Sequence, residues 1–134
     1  MKFPVLSISK KNTATFIRTE DELTSCTKLG LSKGHFNGLV IVDSEGEHFE
    51  VLHAEKVAPL GPFWGFNIFG DQRLRIKLVL KESSGQVKLE DFKKLIMKVI
   101  NSDRGFWSSG GSVSELIASV KAAESYIKTM ELLR

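Results

Sequence analysis

Cysteine is almost missing from this 134-residue sequence: Cys26 stands alone, so no intramolecular disulfide can form. Histidine is scarce as well, at His35, His48 and His53. His48 and His53 lie five positions apart in an expected strand, so strict alternation puts them on opposite faces and argues against a metal site built from that pair. HExxH, CxxC, GxSxG and the Walker glycine loop are all absent, which removes the commonest local signatures of metal, thiol, serine and phosphate chemistry. An active site assembled from distant residues leaves no such trace, yet the inventory points away from catalysis. No cofactor and no metal is expected.

Long apolar runs are lacking too. None approaches the roughly 18 residues of a membrane-spanning helix. The first seven residues, MKFPVLS, carry neither an extended apolar stretch nor a small-residue cleavage site, so the expectation is a cytosolic protein without a signal peptide.

The composition is that of a globular chain, with 42% hydrophobic and 26% charged residues, and the length suits one domain over 1–134. Charge is unevenly spread around a net +3. Residues 1–18 hold four basic side chains and no acid, residues 19–57 carry a net −5, and residues 71–98 a net +4. That pattern fits a bipolar surface or mutual neutralisation across the fold. It falls short of the clustered positive charge of a nucleic-acid footprint.

Periodicity divides the chain into hairpins and helices. Residues 3–18 read as two strands around Lys10-Lys11-Asn12, with Pro4 near the start of its strand or on an edge. Thr19 and Glu22 form a capping box for a helix expected to end at Gly30 or Gly34, with Cys26 inside it as a small buried hydrophobe. The acids Glu20, Asp21 and Glu22 suit the helix dipole and need no metal. Residues 37–42 and 48–54 read as a hairpin closed by Asp43-Ser44-Glu45-Gly46, a type I turn by composition. The acids of this hairpin, Asp43, Glu45, Glu47 and Glu50, read as turn and surface charge. Residues 72–82 alternate: Leu74, Ile76, Leu78 and Leu80 face the core, while Arg73, Arg75, Lys77, Val79 and Lys81 face outward. A helix over 89–100 follows, with Lys93, Lys94 and Lys98 outside its apolar stripe. Residues 101–111 read as a glycine- and serine-rich connector interrupted by Phe106-Trp107. One further helix, capped by Ser112 and Glu115, carries a stripe from Val113 through Val120 and Ile127 to Met130.

The fold class expected is α+β: a largely antiparallel sheet of hairpins, one early helix, and two C-terminal helices packed on one face.

For function, the densest signal is residues 59–66, where Phe63, Trp64 and Phe66 sit among two prolines and two glycines just ahead of the basic strand. Such aromatic area in a turn-rich segment is either core or displayed to a partner. The candidate contact surface is Phe63, Trp64, Phe66, Arg73, Arg75 and Lys77. Aromatics and arginine dominate protein–protein contact centres, so the expected partner is another protein, met by a non-catalytic domain of the immunity or antitoxin type. One alternative is a nucleic-acid accessory domain that uses the basic strand for phosphate contacts and the aromatics for stacking. Another is a small-ligand binder or enzyme using His48 or His53 with nearby acids. Oligomeric state stays open, because no seam is visible.

Overall fold

Two strands open the chain, β1 (Val5–Ile8) and β2 (Ala14–Ile17). Asn12 turns between them at φ 58°, a left-handed conformation that asparagine tolerates. The Ser9 hydroxyl accepts the amides of Lys11 (3.3 Å) and Thr13 (3.1 Å) in the same turn. The computed structural model describes residues 1–27, 34, 36–59, 73–81 and 85–134.

Helix α1 (Glu20–Leu23) starts as its capping box dictates: Thr19 Oγ1 accepts the Glu22 amide at 3.3 Å, and the Glu22 carboxylate accepts the Arg18 amide at 3.0 Å. It stops far earlier than glycine punctuation suggests. Strand β3 (Ser25–Thr27) follows at once, and Cys26 pairs with Leu74 in a sheet instead of lying in a helix. A capping box fixes where a helix begins but not its length, and here long-range pairing prevails over local propensity. The amide of Ile76 donates to the Thr24 carbonyl at 2.7 Å, which ties the end of α1 to the sheet.

Strands β4 (Val40–Asp43), β5 (Glu47–Pro59) and β6 (Arg73–Leu80) complete the sheet, in the order β2-β1-β4-β5-β6-β3, with every neighbouring pair antiparallel. A short strand β7 (Gly85–Gln86) pairs with the start of β5. The turn from β4 to β5 is held by Asp43, which is fully buried. Its Oδ1 accepts the amides of Glu45 and Glu47 at 2.9 Å each, and its Oδ2 accepts the Lys2 amide at 3.0 Å.

The C-terminal third is helical: α2 (Leu89–Ser102), α3 (Arg104–Trp107), one 3-10 turn (Ser108–Gly110), α4 (Val113–Ala122) and α5 (Tyr126–Glu131). The expected connector over 101–111 therefore contains a helical turn, capped by Asp103, whose Oδ1 accepts the Phe106 amide at 3.1 Å. The expected last helix is two helices. Ala123 takes an extended ψ of 136°, and Ser125 caps a new start by accepting the Lys128 amide at 3.1 Å. Lys93 departs from its expected solvent position. It is buried, and its Nζ donates to the Lys121 carbonyl at 2.9 Å, in the last turn of α4.

Two apolar clusters lie on opposite faces of the sheet. On one, Leu6, Ile8 and Val42 meet Phe92, Ile96, Val99 and Ile100 of α2, with Val120 and Met130 behind them. On the other, Val5, Ile17, Ile41 and Val51 gather with Leu23, Leu78 and Leu80, so the β5–β6 end of the sheet curls over that face. The architecture is α+β, with an antiparallel sheet.

Candidate interaction surface

Strand β5 is long enough to serve two halves of the sheet. Its first half pairs with β4, from Val42↔His48 to Val40↔Glu50, on the part of the sheet whose outer face the helices cover. Its second half pairs with β6 from Val51↔Leu80 to Pro59↔Leu74. The outward face of that second half carries His53 and Glu55 from β5, and Arg75, Lys77 and Val79 from β6; all but the half-buried Val79 are exposed.

Two register shifts interrupt the β5–β6 ladder, one between Val51 and His53 and one between Lys56 and Ala58. The extra residues are Leu52 and Val57. A bulge inserts an unpaired residue and sharpens the local twist, so its side chain is freed from the strict in-out pattern. Leu52 is 48% exposed and Val57 is 57% exposed, large aliphatic side chains in water on a face rimmed by charge.

The first bulge also resets the alternation. His48 is the cross-strand partner of Val42, on the helix side of the sheet, while Val51 lies on the other face opposite Leu80. His53 then pairs with Val79, on the outward face. Both histidines thus lie on the same side of the sheet, contrary to simple counting. No metal cluster results: among the described residues, no group of three or more histidine, cysteine or acidic side chains is arranged to hold an ion. His35 lies outside the described residues.

Two cations of the basic strand have acidic neighbours within 4.0 Å. Lys81 Nζ lies 3.6 Å from Glu50 Oε2, and Arg75 Nη1 lies 3.9 Å from Asp21 Oδ1. Lys77 stands directly opposite Glu55, whose Oε1 is also 3.3 Å from His53 Nε2. Exposed pairs like these contribute only about 0–1 kcal/mol each to stability, but they set the surface potential. A polyanion approaching β6 meets three carboxylates among the cations.

Of the six residues singled out by sequence, Arg75 and Lys77 project together on this face. Arg73 is placed by backbone pairing with Thr27. Phe63, Trp64 and Phe66 lie outside the described residues. Sequence reasoning passed over Leu52 and Val57, although a signal was present: the adjacent pairs Val51-Leu52 and Val57-Ala58 each break a period of two, as a bulge requires. Of the Phe106-Trp107 pair in the expected connector, Trp107 packs against the helix-side cluster, whereas Phe106 is 63% exposed.

Cys26 is half-buried in β3, and burial pushes its thiol above the ordinary range. That is the reverse of what a nucleophilic cysteine needs. Asp43, the most enclosed acid of the hairpin, has both carboxylate oxygens engaged by backbone amides. It holds a turn.

Comparison with known protein families, with characterised proteins and with solved structures gave no match to this chain. No helix among the described residues is long and apolar enough to cross a membrane.

Proposed function

We propose that this chain is a non-catalytic binding domain, working in the cytosol, whose partner is another protein engaged through the outward face of β5 and β6. One observation carries the reading. Leu52 and Val57 are held in water by two bulges on a face where Arg75 and Lys81 each have a carboxylate within 4.0 Å and Lys77 stands across from Glu55. Exposed aliphatics within a mixed-charge rim suit the surface of a folded protein, where apolar contact supplies affinity and charge complementarity supplies orientation. Phosphate recognition is served better by unpaired cations, since its affinity comes from cations that displace counterions. An inhibitor of the immunity or antitoxin type is the specific form proposed. Such a protein needs a stable fold and one complementary surface and no reacting groups.

The test is capture from extract of the source cells, with and without nuclease, using the tagged wild type and two variants. One variant is Leu52→Asp with Val57→Asp, and the other is Arg75→Ala with Lys77→Ala. The proposal expects a discrete protein that survives nuclease and is lost with the aspartate variant while that variant stays folded. Capture that disappears with nuclease replaces a protein partner with nucleic acid. Capture unchanged by both variants moves the contact elsewhere on the molecule.

A further inference from the structure

The two ends of the sheet order, β2 and β3, do not pair with each other, and the curled sheet leaves a cleft of about 720 Å³ between them. That volume lies within the range of roughly 300–1,000 Å³ typical of small-molecule sites.

Polarity along the cleft changes in one direction. On the concave face of β1 and β2 the cross-strand pairs run from Val5↔Ile17 to Ser7↔Thr15, and then to Ser9 beside Thr13, where the Ser9 amide donates to the Thr13 carbonyl at 2.9 Å. Lys10 and Lys11 follow in the turn and line the same cleft. The wall thus passes from aliphatic to hydroxyl to cationic. Leu23 and Leu39 extend the apolar end and belong to the cluster on that face. Ser7, only 6% exposed, is the first polar side chain met after the aliphatic pair.

The cationic end is free to act. Among the described residues neither Lys10 nor Lys11 makes an ion pair. Among the described residues of the cleft wall the one acid is Glu22, which has an oxygen committed to the Arg18 amide at 3.0 Å. The Lys10 stem passes over Gly38. Gly38 takes a φ of +77°, a left-handed conformation that favours glycine.

We infer that this cleft binds a small amphipathic anion, a carboxylate on a short unbranched apolar chain. Its head sits by Lys10 and Lys11, and its chain runs past Ser7 and Thr15 toward Ile17 and Leu23. The apolar end gains from burial and the carboxylate from charge-assisted hydrogen bonds. A positive charge in place of the head reverses the second term, and a neutral hydroxyl loses most of it.

The probes are sodium octanoate, 1-octanol and octylammonium chloride, titrated into the full chain while backbone amide resonances are followed by NMR. Octanoate is expected to give saturable shifts confined to β1, β2 and residues 36–39, with octanol weaker and octylammonium weakest. Lys10→Ala with Lys11→Ala should weaken octanoate about tenfold and leave octanol unchanged, as befits loss of a charge-assisted contact. Ser7→Leu, which fills the wall, should remove binding of both while the amide spectrum elsewhere keeps its folded dispersion. The inference is overturned by octylammonium binding as well as octanoate, by shifts centred on the helices, or by no saturable shift at millimolar ligand. Octanoate affinity unmoved by the lysine variant would overturn it equally.

Discussion

Glu55 and Lys77 are direct cross-strand partners on the outward face of β5 and β6, and the same Glu55 carboxylate lies 3.3 Å from His53 Nε2. One acid thereby balances the centre of what reads, on β6 alone, as an unbroken row of cations. With Asp21 beside Arg75 and Glu50 beside Lys81, the strand that sequence presents as a basic platform is part of a mixed-charge surface.

Removing the acids should expose the cations. Glu50→Gln with Glu55→Gln is expected to elute from an oligonucleotide column at clearly higher salt than the wild type. Its unfolding free energy should stay within about 0.5 kcal/mol, because the pairs are exposed. Identical elution of the two proteins would mean that these acids do not set the potential of the face.

Gly46 tests the join between turn and helices. It takes a φ of +84°, and a Cβ added there would lie 2.4 Å from Tyr126 Cζ, while the Tyr126 hydroxyl donates to the Val87 carbonyl. Gly46→Ala combines a left-handed backbone with a side-chain clash, so a loss of about 2–4 kcal/mol is expected. Tyr126→Phe removes only the hydroxyl and should cost about 1 kcal/mol. Denaturant unfolding measures both, and an alanine variant as stable as the phenylalanine one would contradict the packing described.

The buried carboxylate of Asp43 tests the turn from β4 to β5 itself. Three backbone amides, those of Lys2, Glu45 and Glu47, lose their acceptor in Asp43→Ala. A loss of about 2–4 kcal/mol follows from leaving such donors unpaired. The expected outcome is a folded but much less stable protein; an unfolding midpoint equal to wild type would show the turn to be held by other means.

Much of the fold is legible in the sequence because local signals and tertiary structure agree there. The alternation from Leu74 to Leu80, the stripe of Phe92, Ile96 and Val99, and the caps at Thr19 and Ser112 all appear where the chemistry puts them. Disagreements arise where a distant segment decides. Cys26 has no local reason to leave a helix, and it does so because β6 offers it a partner in Leu74. Lys93 reads as a surface charge, yet the open carbonyl of Lys121 at the end of α4 draws its amine inward. On the candidate surface, Arg75 and Lys77 were visible from alternation, whereas their acid partners come from β5 and α1. The bulges at Leu52 and Val57 were written as broken alternation, and only the register with β6 shows which residue is the extra one.

Cys26 supplies a pH dependence of known sign. Burial raises its native thiol value, so between the unfolded and native values the unfolded chain has already released a proton that the native state retains. The stabilisation is present in full below the ordinary thiol range and is lost as pH rises through the raised native value. Cys26→Ser should flatten that alkaline decline in unfolding free energy. A decline of the same slope in the serine variant would assign it to other groups.

The central claim is a protein partner on the outward face of β5 and β6, and site-specific photocrosslinking tests it most directly. A photoreactive amino acid at position 57, compared with one at the exposed position 131 on α5, is irradiated in the source cells. The account predicts a discrete protein adduct from position 57 that resists nuclease, disappears when Leu52→Asp is added, and is not formed from position 131. No protein adduct from position 57, or an adduct that nuclease degrades, would contradict it.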